Sequence, residues 1–137
     1  MALFVADASA TLPWYFEDES TPWSENLLDR VQSGDGVVVP AHWPVEITNG
    51  MLMAVRRKRI SMEKVQEFLE AITELPIALE PALTAEQRKR ILLIGELQNL
   101  TVYDAVYLEL AERRGLPLAT LDIDLKRAAK AAGLVLL

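Results

Sequence analysis

Short, wholly apolar runs recur along the chain between segments with helical periodicity, and this alternation restricts the fold more than any other feature. A strand without polar alternation is covered on both faces, which is typical of a parallel sheet between layers of helices. The sequence therefore predicts an α/β fold with a central, mostly parallel sheet of roughly four to five short strands flanked by helices on both faces. The predicted strands are Leu3 to Ala6, Val37 to Val39, Pro76 to Leu79, Leu116 to Leu121 and Leu134 to Leu137.

Capping signals set the ends of the intervening helices. Thr21 precedes Pro22, Ser61 precedes an amphipathic segment, and Thr84 is followed three residues later by Gln87, as in a capping box. A glycine just past a basic turn is typical of a helix end. The predicted helices run from Pro22 to Val31, from about Val45 to the basic cluster at 56–59, from Ser61 onward, from Thr84 onward, from Leu100 to Arg113 (ended by Gly115), and from Asp124 to Ala132.

The totals indicate one globular domain over residues 1–137. Apolar residues make up 51% of the chain and charged residues 25%, which is enough apolar surface for a single core. The absence of cysteine excludes disulfides, thiolate zinc sites and a cysteine nucleophile. We find no signal peptide and no apolar run near the roughly 20 residues that a membrane helix needs. These features predict a cytoplasmic protein without a membrane partner.

Acidic residues follow the predicted strands. Asp7 ends the first strand and is either a helix cap or a member of a site, and Asp122 ends a later strand. Glu46 lies in the first turn of the helix after the second strand, and Asp104 lies early in its own helix. Ligands bind outside the carboxyl ends of the strands in such sheets. The sequence thus predicts that these four acids share one rim.

Crowded carboxylates repel one another unless a cation neutralises them. Oxygen ligands without His or Cys select Mg²⁺ or Mn²⁺. Two such ions can activate a water and stabilise the leaving oxygen of a phosphodiester, so a metal-dependent nuclease is the chemistry that this pattern favours. The net charge of −6 opposes nucleic-acid binding, but two divalent ions would change it to −2 and leave the clustered basic residues dominant locally. Among these, Arg56 and Arg59 are candidates for positioning the nucleic acid.

Several neighbours of the acids are candidates for supporting roles. Ser9, Thr120 and Asn49 are candidates for orienting a carboxylate or a bound water. For Ser9 and Thr120 the alternative is helix capping or an ordinary surface hydrogen bond. Asp122 and Asp124 compete for one site position; strand geometry favours Asp122, and Asp124 is predicted to cap the last helix or to support the site from outside. His42, the only histidine, has no predicted nucleophile partner. Tyr103 and Tyr107 are predicted to be core aromatics.

Four blocks of the sequence together resemble the successive motifs of PIN-domain ribonucleases, and most closely the VapC-type toxins of type II toxin–antitoxin (VapBC) systems. They are FVADAS, VPAHWPVEITNGM, LTVYDAVYLELA and GLPLATLDIDLKRAA, and they span nearly the whole chain in the expected order. The resemblance implies a single PIN domain and an Mg²⁺- or Mn²⁺-dependent endoribonuclease. Position by position, it implies that the catalytic, metal-binding acids are Asp7, Glu46, Asp104 and Asp122.

The same resemblance implies a homodimer, an RNA substrate, a cognate VapB-like antitoxin, and contact with operator DNA only through that antitoxin. Attack by a metal-activated water would leave a 5′-phosphate and a 3′-hydroxyl. Two alternatives are a catalytically silent PIN-like binding module, which the four intact acids oppose, and a phosphotransferase of the haloacid-dehalogenase type built on the LDID segment. Leu125 follows this DID where that family has Thr or Val, which disfavours the second alternative.

Overall fold

The architecture is an α/β fold in which four parallel strands are surrounded by seven helices. It comes from a computed structural model that describes residues 1–137. Two short 3₁₀ turns, Leu12–Trp14 and Glu17–Glu19, follow the first helix. The strands are β1 (Leu3–Ala6), β2 (Gly36–Val39), β3 (Ile77–Leu79) and β4 (Leu118–Ala119), and the helices are α1 (Ala8–Thr11), α2 (Pro22–Gln32), α3 (Trp43–Arg56), α4 (Met62–Thr73), α5 (Ala85–Gln98), α6 (Val102–Arg114) and α7 (Ile123–Ala131).

The sheet has the order β3-β2-β1-β4, and every pairing is parallel. Val5 in β1 pairs with Val38 in β2 on one side and with Leu118 in β4 on the other. Because the strands are parallel, the carboxyl ends of β1, β2 and β4 lie along one edge, and the strand order reverses at β1. In open α/β sheets this is where ligands bind.

The two central strands are buried on both faces. Consecutive side chains of a strand point to opposite faces, yet Phe4, Val5 and Ala6 are all fully buried, and so are the residues from 37 to 39. Helix α6 covers β1 and β4 and packs against α5 and α7. The predicted α/β class and the single sheet between helices are therefore confirmed.

The predicted helix ends agree with the structure to within a few residues. Thr21, Ser61 and Thr84 are N-caps, and the Thr84–Gln87 capping box is present. Gly115 ends α6 with φ +62°, a left-handed conformation that glycine adopts without a Cβ clash. Helix α3 begins at Trp43, two residues before the predicted start.

The predictions for the last two strands were too long. Leu116 to Leu121 contributes only the two-residue β4, because Pro117 has no N–H to donate and the chain turns away after Ala119. The predicted strand Leu134 to Leu137 forms only an isolated bridge between Leu136 and Leu118. The sheet therefore has four strands, the lower of the predicted numbers. No helix of the protein has the length and apolarity that a bilayer crossing requires.

Candidate active site

Asp7, directly after β1, is the most buried of the four acids, with 5% of its surface exposed. Its Oδ1 accepts a hydrogen bond from the backbone N–H of Ala10 at 3.0 Å, which makes Asp7 the N-cap of α1. The Ser9 hydroxyl donates to the same oxygen at 2.6 Å, and the Thr120 hydroxyl donates to Oδ2 at 2.5 Å. Three donors on two elements thus fix the orientation of this carboxylate.

The same two hydroxyls connect Asp7 to the loop between β4 and α7. Ser9 Oγ accepts a hydrogen bond from the backbone N–H of Leu121 at 2.9 Å, and Thr120 Oγ1 accepts one from the N–H of Asp122 at 3.0 Å. The loop that carries Asp122 is therefore held at a defined position relative to Asp7. These contacts are compatible with the supporting roles predicted for Ser9 and Thr120, which remain predictions.

Burial raises the pKa of Asp7 to about 6. The hydrogen bonds from Ser9, Thr120 and the Ala10 N–H act in the opposite direction, because they favour the charged form. The negative charge of Asp104 raises the pKa of Asp7 further. Above this pKa the ionised carboxylate of Asp7 carries a desolvation penalty, which a nearby cation would offset.

Asp104 lies half-buried in the first turn of α6, close enough to the other acids for their charges to affect its pKa. Burial raises its pKa most, and the charges of Asp122, Glu46 and Asp124 raise it as well. Asp7 and Asp104 also act on each other, as the pKa of Asp7 shows. The fold therefore brings Asp7, Glu46, Asp104 and Asp122 within electrostatic range at one edge of the sheet.

Asp122, rather than Asp124, is the N-cap of α7. Its Oδ1 accepts a hydrogen bond from the backbone N–H of Leu125 at 2.8 Å. The prediction that Asp124 caps this helix was wrong, because α7 begins at Ile123, one residue earlier than expected. The Asp124 carboxylate is 71% exposed and lies 3.8 Å from the guanidinium of Arg127.

Glu46 receives a hydrogen bond that the sequence did not indicate. The Tyr107 hydroxyl donates to Glu46 Oε1 at 2.5 Å. His42 Nε2 lies 3.3 Å from the same oxygen but lacks the alignment of a hydrogen bond. Burial and the adjacent Glu46 carboxylate raise the pKa of Tyr107 far above its ordinary range, so the hydroxyl remains protonated.

The two tyrosines of α6, both predicted to be core aromatics, have different surroundings. Tyr107 is a core aromatic as expected, with 1% exposure, but its polar end reaches the site. Tyr103 is 65% exposed, so its prediction as a core residue was wrong. The signal that identifies Tyr107 is its spacing of three residues from Asp104, which puts both side chains on one face of the helix.

The acids do not form a preformed cage. No three Asp, Glu, His or Cys side chains in the chain are arranged so that they could hold a metal ion together. Asn49 is exposed on α3, one turn beyond Glu46, and its side chain makes no hydrogen bond to the acids. Apart from the imidazole of His42, the potential metal ligands at this edge are oxygen atoms. Oxygen ligands are the ones that Mg²⁺ and Mn²⁺ prefer.

The two arginines predicted to position RNA have different surroundings. Arg59 pairs with Asp18 at 2.8 Å and Glu19 at 2.9 Å, and its guanidinium lies 4.9 Å from the centre of the Phe16 ring. Arg56, at the end of α3, is exposed and forms no ion pair. Arg56 is thus free to meet a phosphate, whereas Arg59 holds the acidic 3₁₀ turn against the end of α3.

We expect separate Arg56→Gln and Arg59→Gln variants to behave differently. Arg56→Gln should weaken RNA binding. It should also reduce the slope of the logarithm of the RNA-binding constant against the logarithm of the salt concentration by about 0.7, the value for one lost contact to single-stranded phosphate. Arg59→Gln should lower the melting temperature and change the salt slope little. Fluorescence anisotropy across a salt series and thermal melts measure both effects. A loss of single-turnover cleavage at saturating RNA, with unchanged binding, would contradict a positioning role.

Comparison with known proteins identifies the family to which this fold belongs. A family model described as PIN domain matches residues 4–131. The chain is also 31% identical over 118 residues to Ribonuclease VapC3 from Pyrobaculum aerophilum, an alignment that covers 86% of this chain and 88% of that protein. The chain belongs to the VapC-type PIN-domain ribonuclease toxin family of VapBC toxin–antitoxin systems.

Solved structures share the fold at lower identity. A crystal structure of PAE2754 from Pyrobaculum aerophilum superposes with a TM-score of 0.72 at 18% identity, covering 93% of this chain and 84% of that one. VapBC2 from Rickettsia felis, crystallised with a DNA fragment from its promoter, superposes with a TM-score of 0.64 at 14% identity, covering 98% and 97% of the two chains. At these identities the likeness establishes the fold alone.

Proposed function

We propose that this protein is a divalent-metal-dependent endoribonuclease that acts as the toxin of a toxin–antitoxin pair. The observation that carries the proposal is the Asp7 carboxylate, which is buried, oriented by Ser9 and Thr120, and within the field of Asp104. A buried carboxylate with a raised pKa and an acidic neighbour is a typical functional-site arrangement. Membership in a family of ribonuclease toxins points to the same chemistry.

The residues present fit Mg²⁺ or Mn²⁺. Asp7 Oδ2 has a single protein donor, from Thr120, and the Glu46 carboxylate has a single donor, from Tyr107. Each therefore keeps lone pairs that could bind a cation. Mg²⁺ retains several waters and needs only one or two carboxylates, so it does not require a preformed cage. Asp7, Glu46, Asp104 and Asp122 would hold the ion or ions directly or through water.

A divalent ion bound at this edge would supply the Lewis acidity that activates a water and offsets the charge of the scissile phosphate. The chain's own residues perform the positioning. Ser9 and Thr120 hold Asp7 in register with the β4–α7 loop, and the cap formed by Asp122 fixes that loop to α7. One of the four acids is a candidate to accept the proton that the attacking water loses.

The test of this proposal is cleavage of a bulk RNA substrate by the purified protein. We expect cleavage with Mn²⁺ or Mg²⁺, none after chelation by EDTA, and products with a 5′-phosphate and a 3′-hydroxyl. Labelling of the product ends identifies the chemistry. Cleavage that persists in EDTA and leaves a cyclic 2′,3′-phosphate would show that the substrate's own 2′-hydroxyl is the nucleophile and that the proposal is wrong.

We also propose that the natural inhibitor is a VapB-like antitoxin, and that contact with operator DNA occurs only through it. The support is the family itself, together with the VapBC2 assembly from Rickettsia felis that was crystallised with promoter DNA. The toxin alone carries a net charge of −6, which disfavours direct binding to duplex DNA. Addition of the antitoxin should stop RNA cleavage. In a gel-shift experiment the toxin–antitoxin complex should retard operator DNA, whereas this chain alone should not.

A second copy of this chain is the partner that we propose for the apolar surface at the end of α5 and the start of α6. Five large apolar or aromatic side chains form this surface, and each is about half exposed or more: Leu92, Leu93, Leu97, Val102 and Tyr103. Large exposed apolar side chains on one helix and at the start of the next are candidates for an interaction site.

Leu97→Glu is expected to convert the proposed dimer into a monomer. Leu97 is 79% exposed, so the charge would cost the folded chain little, whereas in an interface it would be buried without a partner. Light scattering after size-exclusion chromatography measures the mass. Val135→Glu is the matched control, since Val135 is also exposed (64%) but lies outside this surface. A wild-type mass equal to one chain would contradict the dimer.

A further inference from the structure

We propose that Tyr107 is a positioning residue for metal binding, acting through the carboxylate of Glu46. The inference rests on the proposed function, because it assigns Glu46 to the metal site. The bond between the Tyr107 hydroxyl and Glu46 Oε1, 2.5 Å long, is the observation that carries it. It joins α6 to α3, two helices that contribute different acids to the site.

The Tyr107 hydroxyl is the only group that hydrogen-bonds to the Glu46 side chain. Asp7, in contrast, is oriented by three donors. His42 lies near Glu46 Oε1 at 3.3 Å without a hydrogen bond. Without Tyr107, the half-buried Glu46 carboxylate would have no fixed direction, because a glutamate side chain has three rotatable bonds. Its other oxygen, Oε2, has no protein donor and remains available to a cation.

The ring of Tyr107 is itself held in place. It is buried to 99%, and the imidazole of His42 lies edge-on to it with ring centres 5.2 Å apart. Edge-to-face contacts of this kind favour one orientation of the two rings. The hydroxyl therefore stands at the end of a rigid support, which is what positioning a ligand requires.

Helix geometry links this bond to a second acid. Asp104 and Tyr107 are three residues apart on α6, so their side chains project from the same face. The hydroxyl bond thus sets the separation between Glu46 on α3 and Asp104 on α6. A metal bound by both acids would be bound more tightly when that separation is fixed in advance, since less ordering is needed at the moment of binding.

The test is the affinity for Mn²⁺ alone, measured by isothermal titration calorimetry. Tyr107→Phe removes only the hydroxyl and should weaken Mn²⁺ binding by about tenfold, the lower end of the effect of losing a group that orients a metal ligand. Tyr15→Phe is the matched control, because Tyr15 also has a buried hydroxyl, but one without any partner. Tyr15→Phe should leave the Mn²⁺ affinity unchanged.

A double-mutant cycle separates positioning from a general loss of packing. In a Glu46→Gln background, Tyr107→Phe should have little further effect on the Mn²⁺ affinity, since the group through which it acts has been changed. Equal losses in both backgrounds would overturn the inference, and so would an affinity of Tyr107→Phe that matches Tyr15→Phe. These outcomes leave the proposed function intact. A wild-type protein that binds no Mn²⁺ would instead overturn the proposed function and this inference with it.

Discussion

Replacing Asp7 with Asn is expected to reduce metal-dependent RNA cleavage by about a thousandfold or more, since loss of a charged ligand removes several kcal/mol of electrostatic stabilisation from the transition state. The protein should stay folded, because Asn is as good an N-cap as Asp and keeps the start of α1. Cleavage of a bulk RNA across a Mn²⁺ titration, with circular dichroism as the folding control, measures the effect.

Thermal melts of the metal-free proteins provide the control for Asp7→Asn. The pKa of Asp7 is raised from 3.8 to about 6, so the stability it contributes is present below about pH 4 and lost as pH rises through about 6. At about pH 8 the wild type should therefore have a lower melting temperature than Asp7→Asn, and this difference in melting temperature should be smaller at about pH 5. Mn²⁺ should raise the melting temperature of the wild type more than that of the variant. Equal Mn²⁺ shifts, at matched ionic strength, would indicate general screening and contradict the assignment.

The sheet edge and the acids around it could be predicted because they depend on local pattern and on topology. The apolar runs Leu3 to Ala6 and Val37 to Val39 have no polar alternation, which implies a parallel sheet, and a parallel sheet brings its carboxyl ends to one edge. The position of Asp7 follows from these two steps. The hydroxyls of Ser9 and Thr120 are adjacent in sequence to the strand ends, so their proximity to Asp7 also follows.

Contacts between distant parts of the chain could not be predicted in the same way. The bond between Tyr107 and Glu46 spans 61 residues and depends on how deeply α6 packs against the sheet, which periodicity does not specify. The ion pairs of Arg59 with Asp18 and Glu19 span about 40 residues and depend on a 3₁₀ turn without a sequence signal. A run of basic residues reveals its charge but not which member is already neutralised.

The start of α7 shows how one residue changes an assignment. Asp122 and Asp124 both suit a helix N-terminus, and capping preferences do not distinguish positions two residues apart. The structure gives the cap to Asp122, which also lies within the field of Asp104. Asp122 therefore combines a structural and a proposed chemical role, as Asp7 does, and a test must separate the two.

Asp122→Asn separates them, because Asn retains the cap on α7 while it removes the charge. We expect this variant to lose RNA cleavage by at least about a hundredfold, because several kcal/mol of transition-state stabilisation depend on the charge. Its melting temperature without metal should equal that of the wild type, because the cap is kept. Asp122→Ala should lose cleavage as well and should also be destabilised by about 1 kcal/mol, the typical effect of removing an N-cap. Cleavage rates and thermal melts of the two variants measure the two roles independently.

Asp124→Asn is the matched control for the charge. Its carboxylate is 71% exposed and 3.8 Å from Arg127, a surface pair that contributes little to stability. Because Asp124 neither caps α7 nor contacts the hydroxyls around Asp7, its neutralisation should leave cleavage within about threefold of the wild type. Its charge reaches Asp104 only as the weakest of the acidic influences on that residue, and solvent screens an exposed carboxylate. If Asp124→Asn were inactive and Asp122→Asn active, the acid two residues further along would be the ligand, and Asp122 would serve only as the helix cap.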